Sequence, residues 1–183
     1  MTEARFLDVL RRYLTMSANA MLPVLFRYQA WADEAFMREL EALDAQRYPD
    51  ERREALRLLN HCFVVNQIFK AHLTGTTHGF KADNTAETPT PGDLREALAA
   101  SDGWLMEYAA SATPEQLAEP IAFTFTDGDK GRMTREEMLF HVAVHGSYHR
   151  GEVGRILKQI GSAVPWDTFA VHLHQIDPGR RLR

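Results

Sequence analysis

The sequence predicts an all-α protein: four long helices forming a bundle, with a small hairpin between the third and the fourth. Two observations carry that expectation. Apolar residues recur at three- and four-residue spacing through four segments long enough for several helical turns, the pattern of helices that bury one face. The only strand-like run, Ile121-Ala122-Phe123-Thr124-Phe125-Thr126, is short and is followed at once by the turn-rich Asp127-Gly128-Asp129-Lys130-Gly131. Long helices without a sheet to cover must cover one another.

Residues 1 to about 18 carry Phe6, Leu7, Val9, Leu10 and Leu14 in an amphipathic pattern and predict a short leading helix, an N-terminal extension of a single domain spanning 1–183. The first long helix is expected from about Asn19 to Leu43, with Pro23 in its first turn, where a missing N–H is tolerated. Tyr48-Pro49-Asp50 breaks the chain, because Pro49 disfavours helical geometry in the residue before it. The second helix should run from about Glu51 to Thr74. Gly75 to Thr90 is polar and reads as a solvated connector. Thr90 caps a third helix beginning at Pro91, with Asp93 at the positive end of its dipole, and that helix ends near Ser111. Thr113-Pro114-Glu115 starts one short helical turn. After the strand, Arg132-Met133-Thr134 provides a brief return, and Thr134-Arg135-Glu136-Glu137 matches a capping box opening the fourth long helix. Gly161 stops that helix, and a short final one is expected from Pro165 to about Gln175.

Composition excludes several function classes. A net charge of −4 leaves no basic footprint for nucleic acid, and the terminal Arg180-Arg181-Leu182-Arg183 is too short to supply one. One cysteine, Cys62, cannot form an internal disulfide and suits a reducing cytoplasm; core filling is its expected role. No apolar run approaches the roughly 18 residues of a membrane span. Arg5, Asp8, Arg11 and Arg12 interrupt any signal-like pattern at the N-terminus. These features together predict a cytoplasmic protein.

Chemistry concentrates in two helices. His141, His145 and His149 repeat at a spacing of four, so each lies only about 40° round from the last and one turn further along. On this wheel the core direction falls near His149 and His145, with His141 and Glu152 flanking the stripe, and Arg150 and Gly154 on the outer face. On the second helix His61 shares the apolar face with Leu58, Val65 and Phe69, while Asn60 and Lys70 lie opposite. His72 is about 16 Å along the axis from His61, too far to share a metal with it. A lone histidine on such a face is usually a hydrogen-bonded core residue; a stripe of them facing another inward histidine points to a metal. The chain lacks the His-Glu-x-x-His of zincins, the paired Glu-x-x-His of di-iron bundles and the cysteines of a zinc finger. What remains is a mononuclear site of His61, His145 and His149, leaving coordination positions open for water or substrate. Imidazole suits zinc, nickel, copper or iron, and ligand type alone does not choose among them.

Leu59-Asn60-His61 and His145-Gly146-Ser147-Tyr148-His149-Arg150-Gly151-Glu152 resemble the DinB/YfiT-like superfamily. The resemblance extends to Tyr28-Gln29-Ala30-Trp31-Ala32-Asp33 and Pro165-Trp166-Asp167 and covers nearly the whole chain from about residue 20. It implies a four-helix bundle, often a homodimer, with one divalent metal on His61, His145 and His149. Zinc or nickel is the expected metal, with iron and manganese as alternatives. His141 matches a frequent extra histidine, read as supporting the site or packing the helix. Glu152 stands where many relatives have Gln; it either orients a ligand's N–H or forms a surface ion pair with Arg155 or Arg135. The resemblance further implies an enzyme similar to the family's thiol-dependent S-transferases, activating a low-molecular-weight thiol against a small-molecule substrate. No general acid or base is assigned, and Tyr148 is given no role. Two other functions stay open: a metal-dependent hydrolase, and a non-catalytic metal-binding, stress-associated protein.

Overall fold

The computed structural model describes the backbone of residues 3–182 and the side chains of residues 20–182. The order is α1 (Glu3–Ala42), α2 (Pro49–Thr74), α3 (Pro91–Ser111), α4 (Pro114–Leu117), β1 (Pro120–Thr124), β2 (Lys130–Thr134), α5 (Arg135–Gln159) and α6 (Phe169–Ile176), closed by a 3-10 turn at Pro178–Arg180. The fold is therefore mainly helical, and among the described residues its one sheet is two-stranded.

The expected separate leading helix is not a separate element. The backbone runs as one helix from Glu3 to Ala42, with Pro23 inside it rather than in its first turn. No glycine or second proline lies in that stretch, and one proline removes a single hydrogen bond without ending a helix flanked by good formers. The amphipathic pattern of Phe6, Leu7, Val9, Leu10 and Leu14 concerns side chains outside the described residues.

The remaining boundaries follow local chemistry. Gly75 adopts φ +69° at the end of α2, a left-handed geometry that favours glycine. Thr90 caps α3 through the Asp93 N–H, and Thr134 and Glu137 close a full capping box on α5. In the hairpin β1 pairs antiparallel with β2, Phe123 opposite Gly131. Phe125 and Thr126, expected in the strand, belong to the turn, where the Phe125 N–H donates to the Asp129 carbonyl. The final helix starts at Phe169 rather than Pro165, capped by Thr168, because Asp167 is committed elsewhere.

Two clusters make up the core. One gathers Leu22 and Phe26 of α1, Val65 and Phe69 of α2, Leu105 of α3, Phe123 of β1, and Met138 and Val142 of α5. The other joins Phe36 and Leu40 of α1, Leu56 and Leu59 of α2, Leu94 and Leu98 of α3, and Val153 and Leu157 of α5. From Leu22 onward α1 thus shares apolar contacts with α2, α3 and α5 in both clusters.

Polar segments are less solvated than composition implies. Residues 83–85 of the α2–α3 connector are pinned to α2: Arg57 Nη1 donates to the Thr85 carbonyl at 2.7 Å and Asn60 Nδ2 to Thr85 Oγ1 at 2.6 Å. Asn60, expected on the outer face with Lys70, is consequently buried.

Candidate metal centre

The core direction of α5 lies about 50° further round the helix than the sequence implies, through Val142, Gly146, Val153 and Leu157. Arg150 is the reason. Expected outside, it is 1% exposed, its Nη1 donating to Asp33 Oδ1 at 3.0 Å and its Nε to Asp167 Oδ2 at 2.8 Å. With two carboxylates to meet it, a guanidinium can occupy an interior position that a lone charge could not. The histidine stripe is thereby turned to the margin of the core, where α5 meets α2, instead of into its centre.

At that margin three imidazoles converge. His61 Nε2 lies 2.9 Å from His145 Nε2, and His149 Nε2 lies 3.2 Å from the same atom. One nitrogen from each residue falls within 4.8 Å of the others, the one cluster among the described residues that could hold a metal. Two of the three outward nitrogens are committed, while His145 Nδ1 has no partner. His61 Nδ1 is 2.6 Å from the Asp83 carbonyl, and His149 Nδ1 is 2.6 Å from Glu152 Oε2. A carbonyl or carboxylate oxygen accepts only, so both Nδ1 atoms carry the proton and both Nε2 atoms present lone pairs toward His145.

Because His145 Nδ1 has no partner, without a metal its Nε2 can carry the proton and donate to a neighbouring imidazole; with a cation among them all three Nε2 atoms present lone pairs. In a tetrahedral site with metal–nitrogen bonds of about 2.0–2.1 Å, ligand nitrogens stand about 3.3 Å apart. The two separations from His145, 2.9 and 3.2 Å, are close to that value and the remaining pair lies within 4.8 Å, so the three residues could hold a small divalent cation. Burial, reinforced by His149, His61 and His141, holds His145 down at about 3. It is neutral at physiological pH, the form in which imidazole binds metals.

The neighbours divide into supports and bystanders. His141 stays outside the cluster; its exposed ring stacks on His145 at 5.3 Å and on Phe69 at 4.7 Å. Glu152 orients His149. Neither arginine that might have drawn it away does so, since Arg135 pairs with Glu119 and Arg155 bonds Gln159. Tyr148 is exposed and meets the His149 ring edge-on at 5.0 Å. Cys62 is buried, and burial pushes its thiol well above the ordinary range, as befits core filling. His72 packs against His78 and Phe123.

Sequence reasoning missed the Asp83 carbonyl, which only the folded connector brings to His61. It also missed the buried network behind α5. There Tyr28 donates to Asp167, Gln29 Nε2 donates to Asp102 Oδ1 at 2.9 Å, and Asp102 bonds Asp33. Tyr28, Gln29, Asp33, Arg150 and Asp167 all fall within the segments quoted above for the resemblance. That recurrence was the available signal that they act together.

Comparison with known proteins identifies the family. The sequence profile of the DinB family matches residues 16–179. Protein DinB of Bacillus subtilis (strain 168) is 24% identical over 160 residues, covering 81% of this chain and 91% of that protein. With the profile spanning α2, α5 and the tail that holds Asp167, the chain belongs to the DinB family.

Proposed function

We propose that the chain binds one divalent metal, zinc or nickel foremost, on His61, His145 and His149, and activates a low-molecular-weight thiol against a small electrophile. The observation that carries this is the convergence of three imidazole nitrogens, two of them fixed in tautomer by the Asp83 carbonyl and Glu152. A divalent metal held there supplies positive charge that lowers the pKa of a nearby thiol, so that thiolate, the reactive nucleophile, is available at neutral pH. In the transfer itself the sulfur forms a bond to the electrophilic carbon, and the leaving group departs with its electron pair.

The protein's own residues bind and orient. Glu152 fixes the His149 ring through Nδ1, and the pinned connector fixes His61. Such outer contacts hold ligands in register and raise their basicity. His61 and His149 keep only 19% and 15% of their side chains exposed, which leaves an open edge for a small molecule and little room for bulk water. Cys62 is not the nucleophile, being buried and held protonated.

In this reading α1, α2, α3 and α5 are the family's four-helix bundle, acting in the cytoplasm as a homodimer. Support for the dimer comes from a stripe on the outer face of α5. Phe140, Val144 and Tyr148 recur every four residues and are exposed, Val144 by 67% and Tyr148 by 66%, a contiguous apolar stripe of the kind that marks an interaction surface.

Metal-loaded protein assayed with a panel of low-molecular-weight thiols and a generic electrophile should show thiol consumption that His149→Ala abolishes. No metal-dependent rate across the panel would count against the transferase and favour a non-catalytic metal-binding protein. Metal-dependent loss of an ester without thiol would favour the hydrolase.

A further inference from the structure

Beside the three histidines lies a cavity of about 180 Å³ between α2 and the hairpin. Val65, Ile68 and Phe69 of α2 form one wall, Phe123 and Phe125 the other, and His145 joins the cavity to the histidine cluster. We infer that this cavity binds an uncharged, single-ring or similarly compact apolar molecule, as the electrophile subsite of the transferase proposed above, a reading on which its role rests.

Size is the first ground. A dry protein cavity of about 150 Å³ lined by aliphatic and aromatic side chains holds benzene, and this one is slightly larger. A molecule of several rings, which needs a pocket of about 300 Å³ or more, would not fit.

The walls are the second. Their imidazoles are packed as rings rather than presented as charges. His141 lies stacked on Phe69 at 4.7 Å, and His72 lies against Phe123 at 5.0 Å. Burial lowers the pKa of His72, which keeps that ring neutral. An anion would lose its water between these walls with no cationic side chain to meet it, a cost of several kcal/mol. The one carboxylate at the rim, Asp83, is 70% exposed and repels anions at the entrance. Thr126 offers the ligand one hydroxyl partner.

The third ground is the hairpin. Opposite Phe123 the strand carries Gly131, and a Cβ there would fall 2.7 Å from Phe123 Cζ and 2.8 Å from Phe125 Cε2. The missing side chain lets both phenyl rings fold across the partner strand. Phe125 remains 46% exposed at the rim, an apolar ring in water with apolar space beside it.

The test uses zinc-loaded protein and fluorobenzene, observed by 19F NMR, with 4-fluorobenzoate as the charged counterpart on metal-free protein, where no cation can take its carboxylate. Fluorobenzene should bind saturably, and fluorobenzoate at least about tenfold more weakly. Ile68→Trp, which fills the cavity, should abolish fluorobenzene binding; Phe125→Ala, at a half-exposed position that spares the fold, should weaken it. Val144→Glu, whose side chain is not part of the cavity wall, should leave it unchanged. Absence of fluorobenzene binding, equal binding of fluorobenzoate, or loss with Val144→Glu but not with Phe125→Ala would overturn the inference. The thiol assay is read separately. Fluorobenzene binding without thiol transfer removes the transferase and its electrophile role but leaves the cavity's ligand class standing. Thiol transfer without fluorobenzene binding removes the cavity assignment alone.

Discussion

Asp102 sits 2% exposed in the middle of α3, accepting from Gln29 Nε2 and hydrogen-bonded to Asp33. Burial, then the neighbouring Asp33, raises its carboxyl well above the usual value of 3.8. Asp33 is also raised by burial, but it contacts Arg150 directly, so Asp102 is the member that keeps the proton and donates it. A folded-state pKa above the unfolded one means stability that is complete below 3.8 and lost as pH rises through the raised value. Asp102→Asn preserves the shape and removes the titration. Melting curves between about pH 5 and pH 9 should show the wild type losing stability, relative to the variant, as pH increases; parallel curves would show that no proton is held there. Such residues were hard to read in sequence. A helical wheel places a charged residue outside unless its partners are known, and those of Arg150 come from α1 and from the tail. The histidines were legible because their repeat lies within a single helix, although their inward tilt was overestimated for want of Arg150.

Among the elements, α5 has the most to reconcile, with a metal-type stripe on one side and a buried guanidinium on the other. Arg150 ties it to α1 through Asp33 and to the segment before α6 through Asp167. Removing one partner of a buried ion pair costs about 3–5 kcal/mol, since the remaining charges stay buried. Arg150→Ala should therefore lower the unfolding free energy in urea by about that amount. Arg150→Lys should restore little, because a point charge cannot reproduce the contacts of Nε and Nη1 together. A variant within about 1 kcal/mol of wild type would mean that Asp33 and Asp167 relax to water or take up protons. Helix ends were legible wherever a cap or glycine fixed them, as at Thr90, Gly75, Thr134 and Gly161. The start of α1 was not, because Pro23 resembles a first-turn proline and only the continuous backbone reveals it as internal. The connector was misjudged for a similar reason: its polar composition gives no hint that Asn84 and Thr85 find partners on α2.

For the molecule as a whole, the exposed Phe140–Val144–Tyr148 stripe bears on assembly. Light-scattering chromatography should give a mass near twice 20.8 kDa, and Val144→Glu should shift it to the monomer. A wild-type monomer would remove the homodimer. The mainly helical class and the family were readable from sequence, whereas the site's completion needed the fold, since His61 and His145 meet only when α2 and α5 pack. The central claim is that these helices build a metal site, and elemental mass spectrometry of the purified, metal-loaded protein tests it directly. About one divalent metal ion per chain is expected, with near-complete loss in His145→Ala that keeps its helical circular dichroism. Wild-type protein that retains no metal after loading would contradict it.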